Sequence, residues 1–407
     1  MHNFMNTSKA IDLGNPFWEE TERSGLSNLL AHHAGNGYLV DEVGHEFINM
    51  CSYSYLGLDA HPEMLNGAIA GLRNAGTLNS SISRVRIRLP ILENAEAAMS
   101  ALFNVKALTT SSCASGAAAI LPLIASGLFT DGTPPVMVFD KHAHFSLNLL
   151  KPICADETQV ITCPHNDLDY LEDVCKTHKA VAYVADGVYS TGGCAPVQSL
   201  LALQDKYGLF LFLDEAHGLS AYGKQGRGYV LEEMGGALND RTLIVASLNK
   251  GFGASGGALL MHAHQDLSII KRFGGPLSWS QRINTAGLGA IIASVDIHKS
   301  AELPRLQERL QDNIAHFDRL IRTEHAGDGL PIRFIPIGSE SETIQCAQEL
   351  FRNGFYASPL FFPIIPKGKA GLRVMLRANL ESAEIERFCA IVTAYRNNAL
   401  LVADLQD

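Results

Sequence analysis

Charged residues make up only 18% of this 407-residue chain, and those present leave a formal charge of −10. Such a balance disfavours a nucleic-acid polyanion as the main partner, although a local basic patch can still hold a phosphorylated ligand. The eight cysteines, at 51, 113, 154, 163, 175, 194, 346 and 389, form no CxxC pair and no Cys/His cluster at zinc spacing. In a chain this long they read as reduced, mostly buried thiols and not as a disulfide framework. No apolar run is long enough to span a bilayer: the longest, GAAAILPLIASGLF (116–129), is too short and contains Pro122. The amino-terminal MHNFMNTSKAIDLGNPFWEE turns acidic before any apolar core of signal-peptide length, so a cytoplasmic protein is expected. Tandem repeats and low-complexity segments are absent. So are three catalytic signatures: GxxxxGK followed by Ser or Thr, GxSxG, and HExxH.

What is present is a 47% hydrophobic composition with a regular texture. Between residues 107 and 262, short β-rich runs alternate with longer helical patterns: PVMVFD (135–140), QVITC (159–163), AVAYVAD (180–186), LFLFLD (209–214), TLIVAS (242–247) and GALLMH (257–262). Continuous apolar runs of this length suit strands buried on both faces, joined by helical crossovers, and predict an α/β domain with a mainly parallel sheet. After residue 300 the pattern becomes a long amphipathic helix, ELPRLQERLQDNIAHFDRLIRTEH (302–325). Strands IRFIPI (332–337) and LRVMLRA (372–378) then bracket a helix at 341–354, as in a small α+β domain. The expected division is an N-terminal segment 1–60, a large domain 61–300 and a small C-terminal domain 301–407.

Ligands of open α/β sheets gather at the carboxyl ends of strands, and there this chain carries its reactive groups. LFLFLDEAHG ends in Asp214 and His217, AYVADGVYSTGG in Asp186 and Ser190, VMVFDKHAHFS leads to His142 and His144, and LIVASLNKG delivers Ser247 and Lys250. A single carboxylate or histidine at such a position is usually a cap or a packing residue. Together they supply what a pyridoxal phosphate site needs. Those parts are a lysine for a Schiff base, an acid to keep the pyridine nitrogen protonated, a ring-stacking group, and hydroxyls with free backbone N–H for the phosphate.

The ordered series YSYLGLDAHPEM (53–64), HND (165–167), DGVYSTGGCAPV (186–197), DEAHGLSAYGKQGRG (214–228), NKGFGASGG (249–257) and GLRVMLRANL (371–380) resembles the α-oxoamine synthase family of pyridoxal phosphate enzymes, of fold type I. The resemblance implies that Lys250 binds the cofactor covalently, that Asp214 pairs with the pyridine nitrogen, and that His217 touches the ring's phenolic oxygen with Ser190 nearby. Asp186 joins the cofactor-binding set. His144 is the stacking residue, whereas His142 matches no family residue. The phosphate is assigned to backbone N–H groups of Cys113 and Ala114 at the start of a helix, to the Ser247 hydroxyl, and to Ser278 from a neighbouring protomer, which makes a homodimer part of the site. Arg373, with Ser54 close in the motif order, matches the arginine that grips the amino acid's carboxylate; Arg377 falls on the same face if the strand continues. The implied reaction joins an amino acid to an acyl thioester and gives an α-aminoketone, with decarboxylation.

The sequence also departs from the family. SWSQRI (278–283) lacks the usual proline pair, SSCASG replaces the usual Ser-Gly followed by an aromatic, Ser54 stands where Asn is common, and SRVRIRLPILENAE (83–96) lacks the family's Gly and His. Arg84, Arg86 and Arg88 alternate as on an extended segment, either toward an anionic acyl donor or on a solvated or subunit-interface face. Two alternatives stay open: other chemistry at the same carbon (amino transfer, retro-aldol cleavage or simple decarboxylation), and a non-catalytic partner subunit of a heterodimer. The presence of Lys250, Asp214 and His144 argues against the second.

Overall fold

The apolar runs between residues 106 and 261 assemble into one seven-stranded sheet in a computed structural model that describes residues 4, 6–35 and 37–404, the side chains of 398–404 excepted. Across the sheet the strands run Lys106–Thr110, Gly257–Met261, Thr242–Ser247, Phe210–Asp214, Val181–Asp186, Val136–Asp140 and Val160–Cys163. Six are mutually parallel; Gly257–Met261 is antiparallel to both its neighbours. Its direction follows from the link that precedes it. Residues 248–256 are too few for a crossover helix, so the chain can only double back.

Strand alternation sorts the core into two layers. Along Phe210–Asp214, Leu211 and Leu213 join one buried cluster and Phe210 and Phe212 the other, as a strand covered on both faces requires. This sheet belongs to a compact unit of Leu58–Ser190 with Cys194–Arg305. Within it, helices Pro62–Ala75 and Thr285–Lys299 cross at near-backbone contact: a Cβ added to Gly289 would lie 2.2 Å from the Gly67 carbonyl and 2.8 Å from the Gly71 Cα.

A second compact unit comprises Met5–Gly57, Thr191–Gly193 and Leu306–Asp407. It holds a four-stranded sheet, Ala31–Gly35, Tyr38–Asp41, Glu46–Asn49 and Phe355–Tyr356, and an antiparallel sheet of Ile332–Gly338, Ala370–Met375 and Ser358–Leu360. The helix predicted over 302–325 stops at Leu320. Asp318 accounts for the early stop: its carboxylate binds Arg333 (2.7 Å) and also accepts from the Gly327 N–H at 2.8 Å, which draws the following chain back. The next helix, Glu340–Arg352, begins on a capping box between Ser339 and Glu342. No helix among the described residues is long and apolar enough to cross a membrane.

Because Gly289 meets backbone that cannot rotate away, Gly289→Ala is expected to lower unfolding free energy by about 1–3 kcal/mol. Chemical denaturation of the two proteins measures the difference.

Candidate active site

Ser247, Asp214, Asp186 and Asp140 are the last residues of four adjacent parallel strands. Polar groups are thereby aligned along one sheet edge, where the next element has yet to begin. Residues 248–256 form the reversal after Ser247 and carry Lys250. The loop is tied by Leu248 N–H to the Gly256 carbonyl (2.9 Å), Ala254 N–H to the Leu248 carbonyl (2.8 Å) and Gly253 N–H to the Lys250 carbonyl (3.0 Å). Its glycines admit neighbouring chain. A Cβ on Gly251 would sit 2.7 Å from the Leu219 carbonyl, and Gly253, at φ +73°, would drive one to 2.4 Å from the Leu58 Cβ.

The same loop aims Lys250 at the turn after Asp214. Lys250 Nζ lies 2.8 Å from Nε2 of His217, itself only 3% exposed. That contact requires the neutral tautomer with an open Nε2 when the lysine is charged.

Asp186 and Asp214 are directly paired in the strand register, and both are buried, at 2% and 3% exposure. Burial first, and then the charge of Asp214, push the Asp186 carboxyl well above the usual carboxylate range, while Lys250 pulls the other way. Asp214 accepts from the Ala216 N–H at 2.9 Å and has the Cys113 thiol 3.5 Å from each of its oxygens. Burial and the Asp214 carboxylate push that thiol well up, so it serves as a donor. Asp186 accepts from the His144 N–H at 2.8 Å. His144 is exposed, and its Nδ1 contacts the Ser146 Oγ at 2.8 Å. Ser190 is half-buried at the end of the segment that follows Asp186.

The helix Cys113–Ala125 opens where a phosphate is expected. Ser112 caps it, and its first intrahelical bond runs from Gly116 N–H to the Ser112 carbonyl at 3.1 Å, so the N–H groups of Cys113 and Ala114 precede the ladder. Gly257 lets the neighbouring strand approach this turn, since a Cβ there would fall 2.5 Å from the Cys113 nitrogen. The Ser247 hydroxyl is bonded to the Asn249 side chain. Ser278 is fully buried, and its hydroxyl donates to the Lys271 carbonyl at 2.5 Å. Both hydroxyls are thus engaged inside this chain, and the N–H groups of Cys113 and Ala114 are the donors that the helix start leaves outside its own ladder. The set fits pyridoxal phosphate. Two adjacent buried carboxylates favour a cationic ring beside Asp214, and a helix start offers N–H groups to an anion.

In the second unit, Arg373 lies mid-strand with its guanidinium 5.8 Å from the Tyr53 ring centre and Nη2 3.3 Å from the Tyr53 hydroxyl. Its Nε is buried without a hydrogen-bond partner. Ser54 is buried beside Tyr53. The strand ends at Met375, so alternation does not extend to Arg377, which is 4% exposed and packed against Gly37.

The reading of Arg84, Arg86 and Arg88 as one alternating face is overturned. Residues 84–86 form a turn. Arg84 is buried and gripped by both oxygens of Glu96 at 2.8 and 2.9 Å, Arg86 lies over Trp279 at 5.9 Å, and Arg88 pairs with Glu93 on the surface. Glu96, inside the helix Pro90–Phe103, gave no sign in sequence that it would bury a charge. The Cys113 side chain and the group around Asp140 were also missed. A strand-terminal aspartate followed by HND was the available signal for the latter.

A sequence model of the aminotransferase class I and II family matches residues 45–392. The 8-amino-7-oxononanoate synthase of Maricaulis maris is 27% identical over 369 residues, covering 89% of this chain and 90% of that protein. The enzyme of the same name from Geobacter sulfurreducens is 28% identical over 391 residues, covering 91% and 95%. Among solved structures, Sphingomonas wittichii serine palmitoyltransferase superposes with a TM-score of 0.82 at 19% identity, covering 96% of this chain and 99% of that one. An 8-amino-7-oxononanoate synthase from Francisella tularensis gives 0.71 at 19%, covering 87% and 99%. The structural likeness establishes a shared fold.

Glu215, next to Asp214, anchors the turn that carries His217. Fully buried, it accepts from the N–H groups of Tyr229 (2.9 Å) and Val230 (2.8 Å). Burial pushes its carboxyl up to about 7 from 4.5, against the pull of those two N–H groups. A carboxyl raised on folding favours the native state at low pH, and that advantage is lost as pH rises toward the folded value. The unfolding free energy of the wild type relative to Glu215→Gln is therefore expected to fall by about 3 kcal/mol as pH rises from about 4.5 to about 7, then level off. Denaturation across that range checks it; a flat difference contradicts it.

Proposed function

Since the chain belongs to the aminotransferase class I and II family, we propose that it is a pyridoxal phosphate-dependent acyltransferase of fold type I that joins an amino acid to an acyl thioester. The α-carbon of the amino acid bonds to the acyl carbon, the thiol leaves, and the carboxylate departs as carbon dioxide to give an α-aminoketone. The observation that carries this reading is Lys250 Nζ at 2.8 Å from His217, on the sheet edge that also holds the Asp186–Asp214 pair.

Pyridoxal phosphate, when bound, supplies an electron sink for negative charge at the α-carbon. Lys250 would hold the cofactor through its amine and, when that amine is free, would take the amino acid's α-proton. His217 orients that amine and accepts from it, which keeps Nζ aimed in both roles. Asp214 would keep a proton on the ring nitrogen, and Cys113 donates to Asp214. His144 would cover the ring face. Cys113 and Ala114 offer N–H groups to the phosphate, with Ser247 beside them. Arg373 takes the amino acid's carboxylate, and its planar fork fixes which bond at the α-carbon is aligned for cleavage. The motif order, with relatives named as 8-amino-7-oxononanoate synthases, supports the acyl-thioester half over the alternative chemistries at the same carbon. A cytoplasmic homodimer goes with the same resemblance.

The test is thiol release from acyl-coenzyme A, followed colorimetrically with a panel of amino acids, with the aminoketone identified by mass. Release that requires one amino acid is expected. Lys250→Ala should lower it by about 10²–10⁴-fold or more. Arg373→Ala should raise the KM for the amino acid about 10–100-fold and leave that for the thioester unchanged. Amino acid turnover with no dependence on any thioester would replace this reading with another reaction at the same carbon.

A further inference from the structure

His142, exposed and outside the family pattern, stacks face to face on His165: their ring centres are 4.2 Å apart and their planes 22° from parallel. His165 in turn meets Tyr189 edge-on at 4.6 Å. Behind both lies Asp140, which has no exposed surface and terminates the strand from which the His144 turn departs. Its carboxylate accepts four hydrogen bonds: from the His142 N–H (2.7 Å), His165 Nδ1 (3.0 Å), the Asn166 N–H (2.9 Å) and the Tyr183 hydroxyl (2.9 Å). Burial opposes the charge, but the bonds from His165, Asn166 and His142 hold Asp140 below the usual carboxylate range. An ionised Asp140 accepts only, so His165 carries its proton on Nδ1. Its Nε2 faces the Asn166 amide at 3.4 Å, and that amide also donates to the Cys194 carbonyl at 3.1 Å. Both edges of the His165 ring are therefore fixed, and its face is the surface on which His142 rests.

These contacts converge on the short turn that ends at His144. The His142 N–H is held by the Asp140 side chain, the Ala143 N–H by the Asp140 carbonyl at 3.1 Å, and the His144 N–H by Asp186 at 2.8 Å. Three successive amides are pinned, and the ring of the first is clamped from the side. A turn so constrained presents its last side chain in one direction. An exposed imidazole that must lie flat over a flat ligand is aimed by that constraint, together with the contact of its Nδ1 to the Ser146 Oγ at 2.8 Å.

We infer that His165 is a positioning residue for His144: through Asp140 and the His142 stack it fixes the turn that presents the ring-covering imidazole. The inference rests on the role proposed above for His144, and it adds a residue to which that role does not itself point. His165 touches neither cofactor nor substrate in this account. It works only through the turn.

A double-mutant cycle on cofactor-loaded protein tests it, with two readouts besides turnover: the visible circular dichroism of the bound cofactor, which reports ring orientation, and the dissociation constant for pyridoxal phosphate from equilibrium dialysis. His144→Ala should diminish the dichroism and weaken binding. His165→Ala should do the same in part, with a dissociation constant raised about 3–10-fold, an effect of the size expected for a lost hydrogen bond. Added to His144→Ala, it should do nothing further. His165→Gln, which keeps a donor toward Asp140 but not the stacking face, should fall between wild type and His165→Ala. Equal effects of His165→Ala with and without His144, or a wild-type spectrum and affinity in His165→Ala, would overturn the inference. If His165→Ala does not fold, His142→Ala removes the clamp from the solvent side and is held to the same cycle. A normal spectrum in His144→Ala itself would instead remove the role of His144, a failure distinguishable from that of His165.

Discussion

Asp186 and Asp214 stand side by side at the ends of neighbouring strands, nearly removed from water, and the surrounding structure is arranged around that repulsion. Two like charges in such a place cannot both persist without compensation. Part of it comes from donors: the Ala216 N–H and the Cys113 thiol for Asp214, and the His144 N–H for Asp186. Part comes from Lys250, whose charge opposes the upward push on Asp186. The remainder suits a cationic heterocycle. In this sense the site is built to a ligand's charge before it is built to its shape, since an electron-withdrawing ring is most effective where a buried carboxylate keeps it protonated.

The backbone makes the arrangement affordable to fold. Parallel strands bring four polar termini to one edge without any of them crossing the core, and the short reversal after Ser247 places a lysine on that edge by doubling the chain back. Glycines serve this reversal by admitting neighbouring chain: Gly251 meets the Leu219 carbonyl, Gly253 meets Leu58 and Gly256 meets Thr110 and Ile283. Glu215 performs a related service one residue beyond Asp214, where a buried carboxyl accepts from the start of the next helix and fixes the turn bearing His217. Catalytic geometry here is supported by groups that do no chemistry themselves.

The apolar runs at 135–140, 180–186, 209–214 and 242–247 were legible because a strand buried on both faces leaves an uninterrupted signature; Asp186, Asp214 and Ser247 at their ends were named through the family resemblance, and Asp140 was not named. Direction was not legible: GALLMH looks like any other buried strand, and only the length of its connection makes it antiparallel. Burial of charge was equally hidden. Arg84 sits in an R-x-R-x-R pattern that reads as a surface, yet it pairs inside with Glu96, twelve residues away, because the turn at 84–86 breaks the alternation. The amphipathic pattern of 302–325 overran its helix since Asp318 looks like one more polar-face residue until Arg333 claims it. Long-range pairs of this kind are set by tertiary contacts that no local window contains.

Lys250 is the residue on which the proposed chemistry turns, and the most direct measurement is borohydride reduction of protein loaded with pyridoxal phosphate, followed by digestion and mass spectrometry of the labelled peptide. Reduction should leave the pyridoxyl group on Lys250 at one equivalent per chain. Lys151 is the informative competitor: it is buried, and burial lowers its pKa, but its amine is turned to Thr162 at 3.0 Å. Label on Lys151, or label spread over several lysines with Lys250 unmodified, would contradict the assignment of this sheet edge as the active site.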